Sequence, residues 1–238
     1  HVGGVNYLAQ CTRPEIQFAV GIIARHQVTW LFSDDADLEH LFGYLKKFSN
    51  YGLTCFIATF DVSRRLVRVV VMTDASFCNA SDGKGTDGYI IALIGPNTFC
   101  VVAWVAKKQT VQSLNTAETE YLAIVRGTKE AIKLCMFLEA IWGFDELKGE
   151  EVERELQSDA TAAIAVVAKG TSEKLRYLRK TQRIAVSFGH EQWRGRTVTK
   201  RCGKSFEPDM LTKALPADHH QMLAQQIGMC PVVASNVQ

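Results

Sequence analysis

The hydrophobic positions change their period twice along the chain. Over residues 14–29, Ile16, Ala19, Val20 and Ile23 recur at helical spacing behind Pro14, which predicts a helix entered at a proline. A second helix is predicted over 34–48, opened by the acidic turn SDDADLEH, which suits the positive end of the helix dipole, and closed by SNYG. Short apolar and β-branched runs follow at 53–60, 66–73, 88–94 and 98–105. The breakers NASDGKGTDG and GPN make the last three an antiparallel meander. The helical period then returns for the long stretch 116–142. A strand ending in LQSD, a short helix at 161–168, a basic helix at 172–188, a strand near 196–200 and a last helix after Pro208 complete the pattern. The order βββ-α-β-α-β-α predicts an α/β protein (α+β mixed sheet) with helices packed on the sheet, preceded by a small helical segment over 1–52.

The long helix carries two glutamates, Glu118 and Glu120, separated by one residue. On a wheel of about 100° per residue, Ala117, Tyr121, Ile124, Ala131, Cys135 and Leu138 share an apolar arc. Glu120 lies inside that arc and Glu118 at its margin, so Glu120 is the one expected to face the sheet. A carboxylate aimed at a core needs a cation, because burying its bare charge costs several kcal/mol or forces protonation.

Three further acids occupy positions that can meet it. VVVMTDAS places Asp74 at the end of an apolar strand, ELQSDATAAI places Asp159 at a strand-to-helix junction, and FEPDMLTKAL places Asp209 in the first turn of the last helix. Each has an ordinary structural role open to it: a turn residue, a helix cap, a favourable first-turn charge. Taken together, four converging acids would repel one another unless an ion held them. All-carboxylate ligation favours hard cations, Mg²⁺ or Mn²⁺. Two such ions about 4 Å apart suit in-line attack on a phosphodiester.

Charge adds one more feature. The net charge is only +2, but residues 143–155 are mostly acidic and 169–204 strongly basic. Lys174, Arg176, Arg179, Lys180 and Arg183 form a basic helix suited to phosphates, and Lys107, Lys108 and Gln109 follow the third meander strand. Trp193 reads as core more readily than as a stacking platform. The seven cysteines have no metal-ligand spacing, and they are read as the reduced thiols of an intracellular protein. No apolar run is long enough to span a bilayer, so no membrane partner is expected.

The motifs resemble one family closely. TRPEIQFAV, LFGYLKKFSNYGL, TDAS, AWVAKKQTVQSLNTAETEYLA, SDATAAI and PDMLTKAL are similar, in order and spacing, to blocks of the copia-type LTR retrotransposon Pol polyprotein. The resemblance runs from Gly4 to Leu215. It implies that residues 1–52 are the end of a reverse transcriptase, that 53–216 form a ribonuclease H-like domain, and that 217–238 are a C-terminal tail. It implies catalytic and metal-binding roles for Asp74, Glu120, Asp159 and Asp209, with Glu120 rather than Glu118 directly before the tyrosine of the E-Y-x-A block. The activity implied is Mg²⁺-dependent endonucleolytic hydrolysis of RNA in an RNA/DNA hybrid, by two ions, with Mn²⁺ as a substitute. The upstream reverse transcriptase would be its partner, in a cytoplasmic virus-like particle or the nucleus.

The chain departs from the family at several points. DGKGTDGYI lacks the family's Arg pair and Ser-Thr-Ser, Ala160 stands where the family has Asn, and Arg183 where it has His. These departures motivate a second reading, a decayed or domesticated module that binds nucleic acid without cutting it. A fold-related exonuclease or integrase is disfavoured, since TDAS carries one acid where such exonucleases carry D-x-E, and the last acid lies in PDMLTK.

Overall fold

Residues 68–108 build the antiparallel half of a five-stranded sheet. In this computed structural model, which describes residues 1–77, 83–201, 203 and 205–232, the chain runs in order through α1 (Val2–Cys11), α2 (Gln17–Arg25), α3 (Phe32–Lys47), β1 (Tyr51–Leu53) and α4 (Thr59–Ser63). It continues through β2 (Arg68–Ser76), β3 (Thr86–Gly95), β4 (Thr98–Lys108), α5 (Thr116–Trp142), β5 (Arg154–Ser158) and α6 (Thr161–Lys169). The last elements are α7 (Leu178–Thr181), α8 (Ser187–Trp193), β6 (Thr197–Lys200), α9 (Asp209–Thr212), α10 (Ala217–Gln226) and β7 (Met229–Pro231). The sheet order is β4-β3-β2-β5-β6, with β2, β3 and β4 antiparallel, and β5 and β6 parallel to β2. This is the mixed sheet, with helices packed on it, that the motif order implies.

Both faces of the central strand are covered, which is why β2 reads as an unbroken run, Val69 to Met72, rather than as an alternation. Val69 and Val71 meet α5 through Tyr121, Ile124, Ala131 and Leu138. Helix α5 begins at Asn115, whose side chain accepts the Glu118 N–H at 3.0 Å, and ends at Gly143 in the left-handed conformation. Gly127 allows its close approach, since a Cβ there would meet Thr73 and Val71 at 3.0 Å.

The opposite face carries Val70, Met72, Ile90 and Ala92. It is closed by Phe206, Met210 and Leu211 around α9, and by Leu223 and Ala224 of α10 with Ile227 just after it. Leu223, Ala224, Ile227 and Met229, within the stretch 217–238 expected to be a tail, are therefore packed on the sheet. Strand β7 returns to pair with β1 in antiparallel register.

The first three helices have a core of their own, Val5, Ala9, Ile16, Val20, Ile23 and Leu41. They guard the exposed edge of β4: Gln17 Oε1 accepts the Ala106 N–H at 2.9 Å and the Trp104 indole donates to the Ala9 carbonyl at 2.8 Å.

Two expectations about local structure fail. The strand at 53–60 stops at Leu53. Phe56 keeps a single bridge to Phe99, and a short helix, α4, replaces the rest because buried Asp61 takes donors from the β3–β4 turn, Asn97 N–H at 2.7 Å and Thr98 Oγ1 at 2.9 Å. The basic helix at 172–188 breaks into a 3-10 turn at Glu173–Leu175, then α7, then an irregular stretch with Arg183 at φ 55° before α8. Buried Leu175 and Leu178 anchor this segment at two points, so its cations share no continuous helical face. Helix α1 lies before Pro14, inside the segment expected to be helical.

Cys11, Cys55, Cys100, Cys135 and Cys230 are free thiols, while Cys78 and Cys202 lie outside the described residues. No helix of the described residues is long and apolar enough to cross a membrane.

Candidate active site

Three elements deliver one carboxylate each to the same point. Asp74 comes from the end of β2, Glu120 from the first turns of α5, and Asp159 from the residue after β5. Each offers an oxygen, and these oxygens lie within 4.8 Å of one another. The parallel pairing of β2 with β5 accounts for this, since it places the C-terminal ends of both strands side by side under the start of α5. Asp74 is a strand residue rather than a turn residue, and Asp159 is not spent on capping, because the cap position of α6 is Ala160.

Burial is deep. Asp74 is 1% exposed and Glu120 is 6% exposed, while Asp159 is half-buried. Glu120 Oε2 and Asp159 Oδ1 are buried without a hydrogen-bond partner. Burial, then the charges of Asp74 and Asp159, push the Glu120 carboxyl up to about 9. Asp74 is pushed up to about 6 by burial, against the pull of the Lys213 ammonium and the Thr212 hydroxyl. Burial also raises Asp159. Three acids held this close resist ionising together, and two of their buried oxygens have no hydrogen-bond partner. The donor set is all oxygen, which fits a hard divalent cation such as Mg²⁺ or Mn²⁺.

Asp209 opens α9 beside this group but does not join it. Its Oδ1 is taken by Lys213 Nζ at 2.7 Å, and the same ammonium lies 3.3 Å from Asp74 Oδ2. Thr212 Oγ1 donates to Asp74 Oδ2. Gly88, paired with Asp74 across the sheet, makes room for α9: a Cβ there would lie 2.6 Å from Thr212 Cγ2 and 3.0 Å from Leu211 Cβ. Sequence reasoning passed over Thr212 and Lys213, although their spacing of three and four from Asp209 puts them one helical turn away.

Glu118 is buried as deeply as Glu120, at 1% exposed, contrary to its place at the margin of the wheel. Its carboxylate accepts the Leu114 N–H at 2.6 Å, the Gln182 amide at 2.9 Å and the Tyr177 hydroxyl. The wheel describes only the helix's own faces; the segment at 177–182 folds over the side it left open.

The residues expected to meet nucleic acid divide. Lys174, Arg176, Arg179, Lys180 and Arg183 are not buried, and the first three line a groove of about 1020 Å³ together with Lys169. Lys107 is exposed and Lys108 half-buried at the end of β4. Gln109 is a correction: it is 3% exposed, donating to Asp87 at 2.5 Å and to the Thr119 carbonyl at 3.3 Å while accepting from Ser113 at 2.9 Å. Its amide is used to tie β3 and β4 to α5. Trp193 is core, 3% exposed, with its indole on Thr128 Oγ1 at 2.9 Å.

No family model matches the chain. It is 27% identical over 242 residues to the retrovirus-related Pol polyprotein from transposon TNT 1-94 of Nicotiana tabacum, a match covering 96% of this chain and 16% of that polyprotein. The chain thus spans about one sixth of that relative's length. It is also 29% identical over 134 residues to the secreted RxLR effector protein 161 of Plasmopara viticola, covering 56% of this chain and 87% of the effector. Among solved structures it is similar to the RNase H1 of Halobacterium salinarum NRC-1, at 17% identity and a TM-score of 0.39 over 61% of this chain and 94% of the other. The PFV RNase H domain matches at 14% identity and a TM-score of 0.40 over 68% and 94%.

Proposed function

We propose that this chain is the ribonuclease H portion of a copia-type retrotransposon polyprotein, an endoribonuclease that cuts the RNA strand of an RNA/DNA hybrid. The observation that carries the reading is the meeting of Asp74, Glu120 and Asp159 within 4.8 Å, with two buried oxygens unpartnered. Similarity to the transposon polyprotein over 96% of the chain supports it.

In this reading Asp74, Glu120 and Asp159 hold divalent ions, Mg²⁺ or Mn²⁺, with Asp209 as a fourth ligand once Lys213 releases it. Two ions bound there supply an activated water and charge stabilisation for in-line attack on a phosphodiester. The protein's own groups do the rest. Thr212 orients Asp74, Gly88 admits α9 against the sheet, and the cations of residues 174–183 hold phosphates without reading sequence. RNA would be distinguished from DNA by its 2′-hydroxyls and groove shape. Residues 1–52 would be the end of the reverse transcriptase that makes the hybrid, and the site of action a cytoplasmic virus-like particle or the nucleus.

The test is incubation of the full chain with a hybrid carrying 5′-labelled RNA, in Mg²⁺ and then Mn²⁺, beside Asp159→Asn. The reading expects RNA cut by the parent, leaving 3′-hydroxyl and 5′-phosphate ends, and spared by the variant. A folded parent that binds hybrid but leaves it intact in both metals establishes the other reading, a module that holds nucleic acid without cleaving it.

A further inference from the structure

Lys213 is a feature of the acid site that the metal reading does not require. Its ammonium stands 2.7 Å from Asp209 Oδ1, 3.3 Å from Asp74 Oδ2 and 3.4 Å from Asp74 Oδ1. It thus occupies the place between two carboxylates that a bridging cation would take. The backbone explains why it reaches there. Lys213 is the residue after α9, already extended at φ −134° and ψ 149°, and its N–H still donates to the Asp209 carbonyl at 3.0 Å.

Its side chain is 41% exposed, in contrast to the 1% of the Asp74 side chain it contacts. The ammonium therefore enters from the solvent edge on a flexible stem. A groove of about 740 Å³ between α2, α3 and the α9–α10 region opens beside it, so the side chain can withdraw without repacking the core.

We propose that Lys213 is a resident, displaceable cation: it holds Asp74 and Asp209 together in the metal-free protein, and it must swing out before a divalent ion can bridge them. The acid cluster then has two unequal cation positions. The one formed by Asp74, Glu120 and Asp159 keeps two oxygens, Glu120 Oε2 and Asp159 Oδ1, without a partner. The one between Asp74 and Asp209 is contested, because an ammonium and a divalent ion cannot share two carboxylates without strong like-charge repulsion. Lys213 thereby sets the metal concentration at which the second ion enters. This rests on the metal-binding reading of the site.

The experiment is a Mn²⁺ titration of the full chain, following free Mn²⁺ by electron paramagnetic resonance, for the parent, Lys213→Met and Lys213→Arg. The parent is expected to bind one ion ahead of a second, weaker one. Lys213→Met should tighten the weaker step on the order of tenfold, the scale of one partly screened charge contact. Lys213→Arg keeps the charge and should leave that step as weak as in the parent. Two ions bound by the folded Met variant with the parent's affinities would overturn the role of Lys213 and leave the metal reading standing. No Mn²⁺ bound by any of the three proteins would remove both. Should the Met variant fail to fold, the parent still decides: its ¹⁵N-labelled Lys213 ammonium signal should be exchange-protected without metal and lose that protection on saturation with Mg²⁺. A signal unchanged by Mg²⁺ overturns the proposal.

Discussion

Glu118 accepts a hydrogen bond from Gln182 at 2.9 Å, joining the first turn of α5 to the basic segment that follows α6. The Tyr177 hydroxyl donates to the same carboxylate. Glu120, two residues on, points to a different place and keeps Oε2 without a partner. The two glutamates therefore differ in kind: one is satisfied by neutral donors and positions a loop, the other is left with an unpartnered oxygen beside two further acids.

Glu118→Gln should loosen the segment at 177–182. Losing hydrogen bonds to a charged acceptor costs about 1.5–3 kcal/mol where they are buried. The expected result is a KM for hybrid raised several-fold with kcat and Mn²⁺ affinity little changed, read by steady-state cleavage and metal titration. A loss of metal binding would instead place Glu118 among the ligands.

Glu120→Gln should behave in the opposite way. With its carboxyl pushed up to about 9, Glu120 is protonated at neutral pH in the metal-free protein, and glutamine mimics that form. The metal-free melting temperature should be equal to or higher than the parent's. Mg²⁺ at 100 times its Kd should stabilise the parent by about 2.7 kcal/mol and the variant by much less, a gap that thermal denaturation with and without Mg²⁺ measures.

Gly88→Ala should separate folding from activity. The added methyl meets Thr212 and Leu211, forcing α9 off the sheet at a cost of about 1–3 kcal/mol. The variant should retain its circular dichroism spectrum while cleavage falls at least tenfold, because Thr212 no longer holds Asp74.

Asp61 carries an acid-sensitive part of the stability. Burial works against its charge, but the Asn97 N–H, the Thr98 hydroxyl and the Asn97 amide together hold its carboxyl below the ordinary 3.8. A depressed folded value means that the unfolded chain takes up the proton first, so this stabilisation is present above the ordinary carboxyl range and is lost as pH falls through the folded value. Asp61→Asn should melt lower than the parent at neutral pH and converge with it in acid, as pH-dependent melting curves would record.

Hybrid binding should weaken steeply with salt. Replacing Lys174, Arg176 or Arg179 by Gln should lower the slope of log affinity against log salt by about one for each phosphate left without its cation, with no change in sequence preference. Gln109→Ala should leave the slope unaltered, since that side chain is buried against Asp87 and Ser113.

Local pattern was enough wherever one residue's neighbours in sequence decide its state. The bounds of α5 at Thr116 and Trp142 follow from an apolar arc, interrupted by Glu120, between an asparagine cap and a glycine. The meander of β2, β3 and β4 follows from apolar runs separated by breakers. Glu120 was marked by a carboxylate in an apolar arc, and Asp74 by an acid ending a strand that needs none.

What lay beyond the sequence pattern depends on contacts between distant segments. Asp61 turned an apolar stretch into a helical turn because Asn97 and Thr98 lie against it. Glu118 is buried by Tyr177 and Gln182, which no wheel of α5 contains. Lys213 reaches Asp74 across 139 residues, and α10 covers the sheet's second face. Periodicity records which side of an element avoids water; which group comes to lie there is decided only when the chain closes on itself.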